Sequence, residues 1–180
     1  MSGLTGALKE DLSALRAVFH SPRNADFVVR TLAPYKVAMA VLYLDGMANR
    51  AGVEDMLLRP LMEMRPFGGT QPHDRCRVLM EQVLPTGTGK LSADIDVLAA
   101  HILGGNAVLL CDGCMQAVMV EMQGFATRGV GQPLTENAAF APHEAFNESI
   151  RTNLTLLHRI LRTPDLIAEM HEVGSASHTK

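Results

Sequence analysis

Apolar residues recur at helical spacing near both ends of this chain, and between them lie runs that are almost wholly apolar. Leu4, Leu8, Leu12, Leu15 and Phe19 share one face at a period close to 3.6 and predict a helix over Leu4–Phe19. Ser21–Asn24 breaks it. Asp26–Leu32 fits either a short helix or a strand. Lys36–Leu44 is nearly all apolar, as a strand buried on both faces would be, and Asp45-Gly46 ends it with a turn. Val53–Met64 returns to a helical period, so the order strand, turn, helix predicts a βα unit. Arg65–Gln71 and Pro85–Lys90 read as loops, with Asp74–Leu84 between them as helix, then strand. Asp94–Leu103 predicts a helix closed by Gly104-Gly105. Ala107–Cys111 and Gln116–Met122 are two apolar runs joined through Asp112-Gly113, a hairpin signal. Thr127–Ala141 is polar and punctuated by Gly and Pro, which predicts extended chain. A last helix is predicted from His143 to Arg162. Pro142 precedes it, Glu144 and Glu148 suit the positive end of its dipole, and Phe146, Ile150, Leu154, Leu157 and Leu161 form its apolar stripe. His158, Arg159 and Arg162 suit its last turn, and Pro164 stops it, with a further short helical turn expected over Pro164–Met170.

These elements predict an α/β lobe over residues 1–125, with a small mixed sheet flanked by helices. An extended connector over 126–142 and a helical linker over 143–170 follow. With 180 residues, 47% of them hydrophobic, the chain can build one ordinary core but not two full domains. The 16 basic and 19 acidic side chains leave a net charge of −3 and form no basic stripe, which argues against a nucleic-acid partner. Three cysteines, an odd number, do not make a secreted disulfide framework and fit a reducing compartment. Met1–Phe19 lacks the unbroken apolar region of a signal peptide. No run reaches the ~18–20 apolar residues of a membrane span, so the segment taken alone reads as soluble.

Little in the sequence has the spacing of a reactive site. Gly87-Thr88-Gly89-Lys90 resembles the end of a phosphate loop. Such a loop needs a Gly where Leu84 stands, and a Ser or Thr where Leu91 stands to reach a magnesium ion. Cys111-Asp112-Gly113-Cys114 has thioredoxin-like spacing, but it flanks a predicted hairpin turn instead of opening a helix. Zinc would need a second pair, and only Cys76 remains. His143-Glu144 lacks the second His of a zinc-protease helix. No cofactor, metal or catalytic residue is assigned, and the chain is read as a non-enzyme. Thr152-Asn153 are poor helix formers within the last helix. They serve either to bond the local backbone or to make a polar contact with another lobe or subunit.

Pro142, Glu144, Phe146, Glu148, Thr152, Asn153, Leu157, Arg159 and Leu166 resemble the Pro-x-Glu-x-Phe-x-Glu…Thr-Asn…Arg signature of the A subunits of GerA-type spore germinant receptors. Lys36–Gly46, Asn106–Gly113 with Met115–Gly124, and Ser92–Gly105 fall in that family's order, so the resemblance runs from Asp26 to Thr179. Phe140, Ala141 and His143 stand where the family usually carries an Arg-Gly pair and an Arg. The resemblance implies a soluble N-terminal region, facing the spore interior, of a receptor in the spore inner membrane. That receptor would have B- and C-type subunits as partners, a second lobe of which 171–180 would be the truncated start, a membrane domain beyond it, and a role in nutrient-triggered germination. It also implies that Pro142, Glu144, Phe146, Glu148, Thr152, Asn153, Leu157 and Arg159 contact another lobe or subunit. Two other functions remain open: a lobe that itself binds an amino acid or sugar, and a small cytosolic enzyme of unrecognised type.

Overall fold

The computed structural model describes residues 3–85, 87, 89–124 and 146–171. The expected connector over 126–142, with Pro142 and Glu144, lies outside them, as do residues 172–180.

Five strands form one sheet in the order β1 (Phe27–Leu32), β2 (Met39–Leu44), β4 (Ala107–Cys111), β5 (Ala117–Val120), β3 (Lys90–Ser92). The α/β lobe is as expected, but every strand pair is antiparallel, so the sheet is not mixed. Asp26–Leu32 resolves as strand. β2 and β4, the apolar runs of the sequence, are buried at every position. Their side chains alternate between two helical layers. Ala40, Leu42, Leu44, Val108 and Leu110 pack against helices α1 (Leu8–Val18) and α5 (Ile95–Leu103). Met39, Val41, Tyr43, Leu109 and Cys111 pack against a second layer that carries Val53, Leu57, Leu61, Cys76 and Leu79. Each leucine buried this way contributes about 1.5–3 kcal/mol relative to exposure, which fixes the register of the two central strands.

Helix α1 starts four residues later than its periodicity predicts. Gly6 sits at φ +87, and the buried Asp11 carboxylate accepts from Thr5 N, Thr5 Oγ1 and Gly6 N, so this stretch is tied down as a non-helical lead-in. Leu4 N donates to Ala93 O instead of joining the helix. Phe19 and Phe27, with ring centroids 4.4 Å apart, stack the end of α1 on the start of β1. The predicted Val53–Met64 helix is a continuous run made of α2 (Arg50–Val53), a π-helical turn (Glu54–Leu58) and α3 (Arg59–Glu63). Pro60 explains the wide turn, because its ring crowds the preceding helical carbonyls and it has no N–H to donate. Asp74–Leu84 holds no strand. It is α4 (Arg75–Val78), continued by a second π-helical turn, Leu79–Val83. Asp94 caps α5 by accepting from Asp96 N at 2.9 Å. Lys90 opens strand β3, so the glycine loop before it leads into a strand and not the helix that a phosphate loop requires.

Candidate functional site

The last helix, α6, spans Ile150–Leu161, not His143–Arg162. Its start is set by side chains that bond backbone. Ser149 is the N-cap and accepts from Thr152 N at 3.4 Å, while Asn147 Oδ1 accepts from Ser149 N at 2.9 Å. Asn153 then closes on the same turn from inside the helix. Its Oδ1 accepts from Asn147 N at 2.8 Å and its Nδ2 donates to Asn147 O at 2.7 Å. One side-chain amide thus satisfies both polar groups of Asn147, and the chain enters the helix at a fixed angle. Of the two roles open to Asn153, the local bond is present. Phe146, Glu148 and Thr152 are exposed, and Leu157 and Arg159 are half-buried. Arg162 ends the helix in the left-handed region at φ 38, and no helical turn forms over Pro164–Met170.

The helix lies on one end of the sheet, and the register of that end explains how. Phe27 pairs with Leu44, so the next residues outward, Asp26 and Asp45, sit side by side with Asp45 N donating to Asp26 O at 2.8 Å. Two carboxylates so placed repel. Helix α6 brings a partner to each. Arg151 Nη1 reaches Asp45 Oδ2 at 2.7 Å, and His158 Nε2 reaches Asp26 Oδ2 at 3.1 Å. Since a carboxylate only accepts, the Nε2 proton must be on the His side. The His158 side chain is 2% exposed, and among the described residues its Nδ1 is buried without a partner. Between these contacts, Thr155 Oγ1 lies 3.2 Å from Gly46 O. Gly46 has φ +81, and a Cβ there would fall 2.8 Å from Thr155 Oγ1, so the position admits glycine on two counts.

Arg151, Thr155 and His158 follow one another at spacings of four and three and make the docked face. The apolar stripe is about a quarter-turn away by helical geometry. Ile150 is 65% exposed and Leu161 is 52% exposed, with Leu154 and Leu157 half-buried. Beyond the helix the chain is pinned to the α1–β1 connection. The buried Asn24 donates to Leu166 O and accepts from Ala168 N, each at 3.4 Å, and Ala25 N donates to Ala168 O at 2.8 Å. An ion pair joins Arg23 to Glu169. Asp26, Asp45, Arg151, Thr155 and His158 did not stand out in the sequence as site residues. The spacing of the last three was visible, but their partners become neighbours only through strand pairing.

Two cavities bear on ligand binding. One, of about 140 Å³, lies under α6 between Asp26, Asp45, Ile150, Arg151, Leu154 and Met170, and is smaller than most small-molecule sites. The other, of about 580 Å³, is lined by Lys90, Val97, His101, Asn106, Met119, Glu121 and Gln123. Burial holds the His101 imidazole below its ordinary pKa, and its Nε2 lies 3.3 Å from Val120 O. Cys111 and Cys114 flank a tight turn as expected, but Cys76 from α4 joins them. Among the described residues no three His, Cys, Asp or Glu are grouped to hold a metal ion, and no helix is long and apolar enough to cross a membrane.

The architecture and the order of its elements match known proteins. A family model for the Bacillus/Clostridium GerA spore germination protein covers residues 13–180. The chain belongs to the GerA family. It is 28% identical over 143 residues to spore germination protein KA of Bacillus subtilis (strain 168), covering 79% of this chain and 26% of that protein. It is 26% identical over 177 residues to spore germination protein GerLA of Bacillus cereus, covering 97% of this chain and 35% of that protein. This GerA-family chain thus spans about a third or less of those relatives' lengths. Its fold is that of the N-terminal domain of the A subunit of the Bacillus megaterium spore germinant receptor GerK3. The TM-score is 0.75 at 24% identity, over 97% of this chain and 62% of that one.

Proposed function

We propose that this chain is the first soluble lobe and connecting helix of a spore germinant receptor A subunit. In this reading it is a non-enzymatic signalling and scaffold module, and α6 couples the lobe to the rest of the receptor. Its partners are a second lobe and the B- and C-type subunits, and it faces the spore interior from an inner-membrane assembly. The observation that carries the reading is the attachment of α6 through its polar side, with part of its apolar stripe left exposed. A helix on a protein surface ordinarily buries its apolar stripe and shows its polar face to water. Here Arg151, Thr155 and His158 dock, while Ile150 and Leu161, about a quarter-turn away, stand exposed, as does Phe146 before the helix. Such a stripe marks a surface that another body covers. Pro142, Glu144, Phe146, Glu148, Thr152, Leu157 and Arg159 are assigned to that contact, and Asn153 serves it by fixing the entry to the helix.

The test is Ile150→Asp with Leu161→Asp in the full-length receptor, followed by optical-density loss of spores given nutrients. Both residues are exposed, so the 180-residue chain should lose less than about 0.5 kcal/mol of stability. Germination should nonetheless fall at least tenfold in rate. Normal germination at normal receptor level would refute coupling through this face. A second reading, direct binding of an amino acid or sugar, draws on the cleft that sets Lys90 near Glu121. Calorimetric titration of this chain with amino acids and sugars separates the two readings, because the coupling role requires no such binding.

A further inference from the structure

Cys111-Asp112-Gly113-Cys114 closes as a β-turn: Cys114 N donates to Cys111 O at 3.1 Å, and Gly113 takes φ +85 at its third position. A turn of this kind holds its end Cα atoms within ~7 Å, the range that a disulfide spans without backbone movement. Both side chains point into the same core layer, and both are free thiols. Cys76, near the start of α4, lies over them. Its backbone N–H donates to Cys114 Sγ at 3.3 Å, and all three thiols belong to the same buried cluster. Three thiols converging from two elements are more than a hairpin needs. The turn is also a junction. Gly113 N donates to Gly6 O at 2.8 Å, Asp112 Oδ1 accepts from Leu8 N at 3.1 Å, and Asp112 O accepts from Arg75 Nη1 at 3.1 Å.

We propose that Cys111 and Cys114 are a thiol–disulfide site that a low-molecular-weight disulfide oxidises, with Cys114 as the attacking sulfur and Cys76 as its thiol-state neighbour. The chemistry balances in two exchanges. Cys114 thiolate attacks one sulfur of the small disulfide, whose S–S bond breaks, and the departing thiolate takes up a proton. Cys111 then loses its proton and attacks the Cys114 sulfur of the mixed disulfide; the bond from Cys114 to the small molecule breaks, and the departing thiolate takes up that proton as the second small thiol. Two protein S–H groups are oxidised, and one disulfide is reduced to two thiols. Cys114 is the attacking group because its environment favours the anion. Its sulfur accepts the Cys76 backbone N–H at 3.3 Å, a bond that favours the thiolate, and the nearby Arg75 guanidinium acts in the same direction, so its pKa lies below the ordinary thiol value. Burial raises the pKa of Cys76 and of Cys111. In its thiol form Cys114 donates to Pro72 O at 3.0 Å, so oxidation releases that contact. Cys76 stays reduced because it sits on α4, while the other two share a turn already closed to the right span.

The experiment equilibrates the full chain with graded ratios of oxidised to reduced glutathione. It is then quenched in acid, alkylated under denaturing conditions and analysed by intact mass and peptide mapping. The expected result is the loss of two of the three alkylatable thiols, with the mass of two hydrogens missing and Cys76 alkylated. Cys111→Ala should stop at a glutathione adduct on Cys114, and Cys114→Ala should slow any oxidation at least tenfold. The wild-type chain carries the main test, so a variant that fails to fold leaves it intact. Three free thiols at the most oxidising ratio in folded protein would overturn the proposal. So would a disulfide that includes Cys76, or stoichiometric zinc on protein purified without chelator.

Discussion

Gly46 lies against Thr155 of α6, and Gly46→Ala tests whether that approach fixes the helix. The substitution does two things. It places a Cβ on a residue at φ +81, which costs an alanine about 1–2 kcal/mol. It also sets that Cβ 2.8 Å from Thr155 Oγ1, and crowding of this kind in packed contacts costs about 1–3 kcal/mol. Thr155→Ala alone removes a hydroxyl whose one proton lies between Arg151 O at 2.9 Å and Gly46 O at 3.2 Å, a loss of about 1 kcal/mol at most. In the double variant the crowding disappears, while the backbone strain and the lost bond remain. The single losses are therefore about 3 and about 1 kcal/mol, and the double loss is about 2–3, not their sum of about 4. The resulting coupling, about 1–2 kcal/mol, is within reach of a double-mutant cycle by urea unfolding. Hydrogen exchange adds the location. The α6 amides should lose protection in Gly46→Ala and regain part of it in the double variant, while β2 and β4 stay protected. Additivity to within about 0.5 kcal/mol would refute the reasoning, because it would mean that position 46 does not meet Thr155 at all.

Asn153→Ala should free the two bonds to Asn147, each worth about 1 kcal/mol, and raise exchange at the Asn147 and Ser149 amides. In the full receptor it should weaken germination without changing which nutrient is sensed, and a changed preference would favour the ligand-binding reading. His101 predicts a pH effect whose sign follows from burial. The folded state holds the imidazole below its ordinary pKa near 6.5, so its stabilisation is complete above that pH and is lost as pH falls toward the lower folded value. Urea midpoints should therefore drop between pH 7.5 and 5.5 more in wild type than in His101→Gln, and equal drops would remove His101 as the cause.

Local pattern recovered the elements whose burial is total. β2 and β4 were legible because a strand covered on both faces leaves no polar position, and the β4–β5 hairpin was legible because Asp112-Gly113 supplies the turn. β3 was not, because three residues are too few to show a period. The antiparallel sheet was misread for a related reason. Strand followed by helix predicts a parallel crossover, but the run from α2 to α4 here leads to β3 on the far edge, a placement no local signal encodes. At the start of α6, Pro142 and the two glutamates drew the boundary too early. The decisive residues were Asn147, Ser149 and Asn153, which satisfy the free backbone groups themselves.

The docked face of α6 was the hardest to see because the sequence weights apolar residues when it assigns an inner side. Its anchor is electrostatic. Asp26 and Asp45 lie far apart in sequence, and strand pairing brings them together as like charges. That pair is costly until Arg151 and His158 arrive, so the lobe has a reason to hold this helix by its polar side. Holding it so leaves the stripe of Ile150, Leu154, Leu157 and Leu161 facing outward or half-covered. Under the coupling reading proposed above, the two faces have separable roles. Loss of Arg151 or His158 would detach the helix from its own lobe, whereas loss of Ile150 or Leu161 would leave it docked and remove only what it offers to the next body. A receptor variant that fails to germinate while α6 stays protected from exchange would point to the second role and not the first.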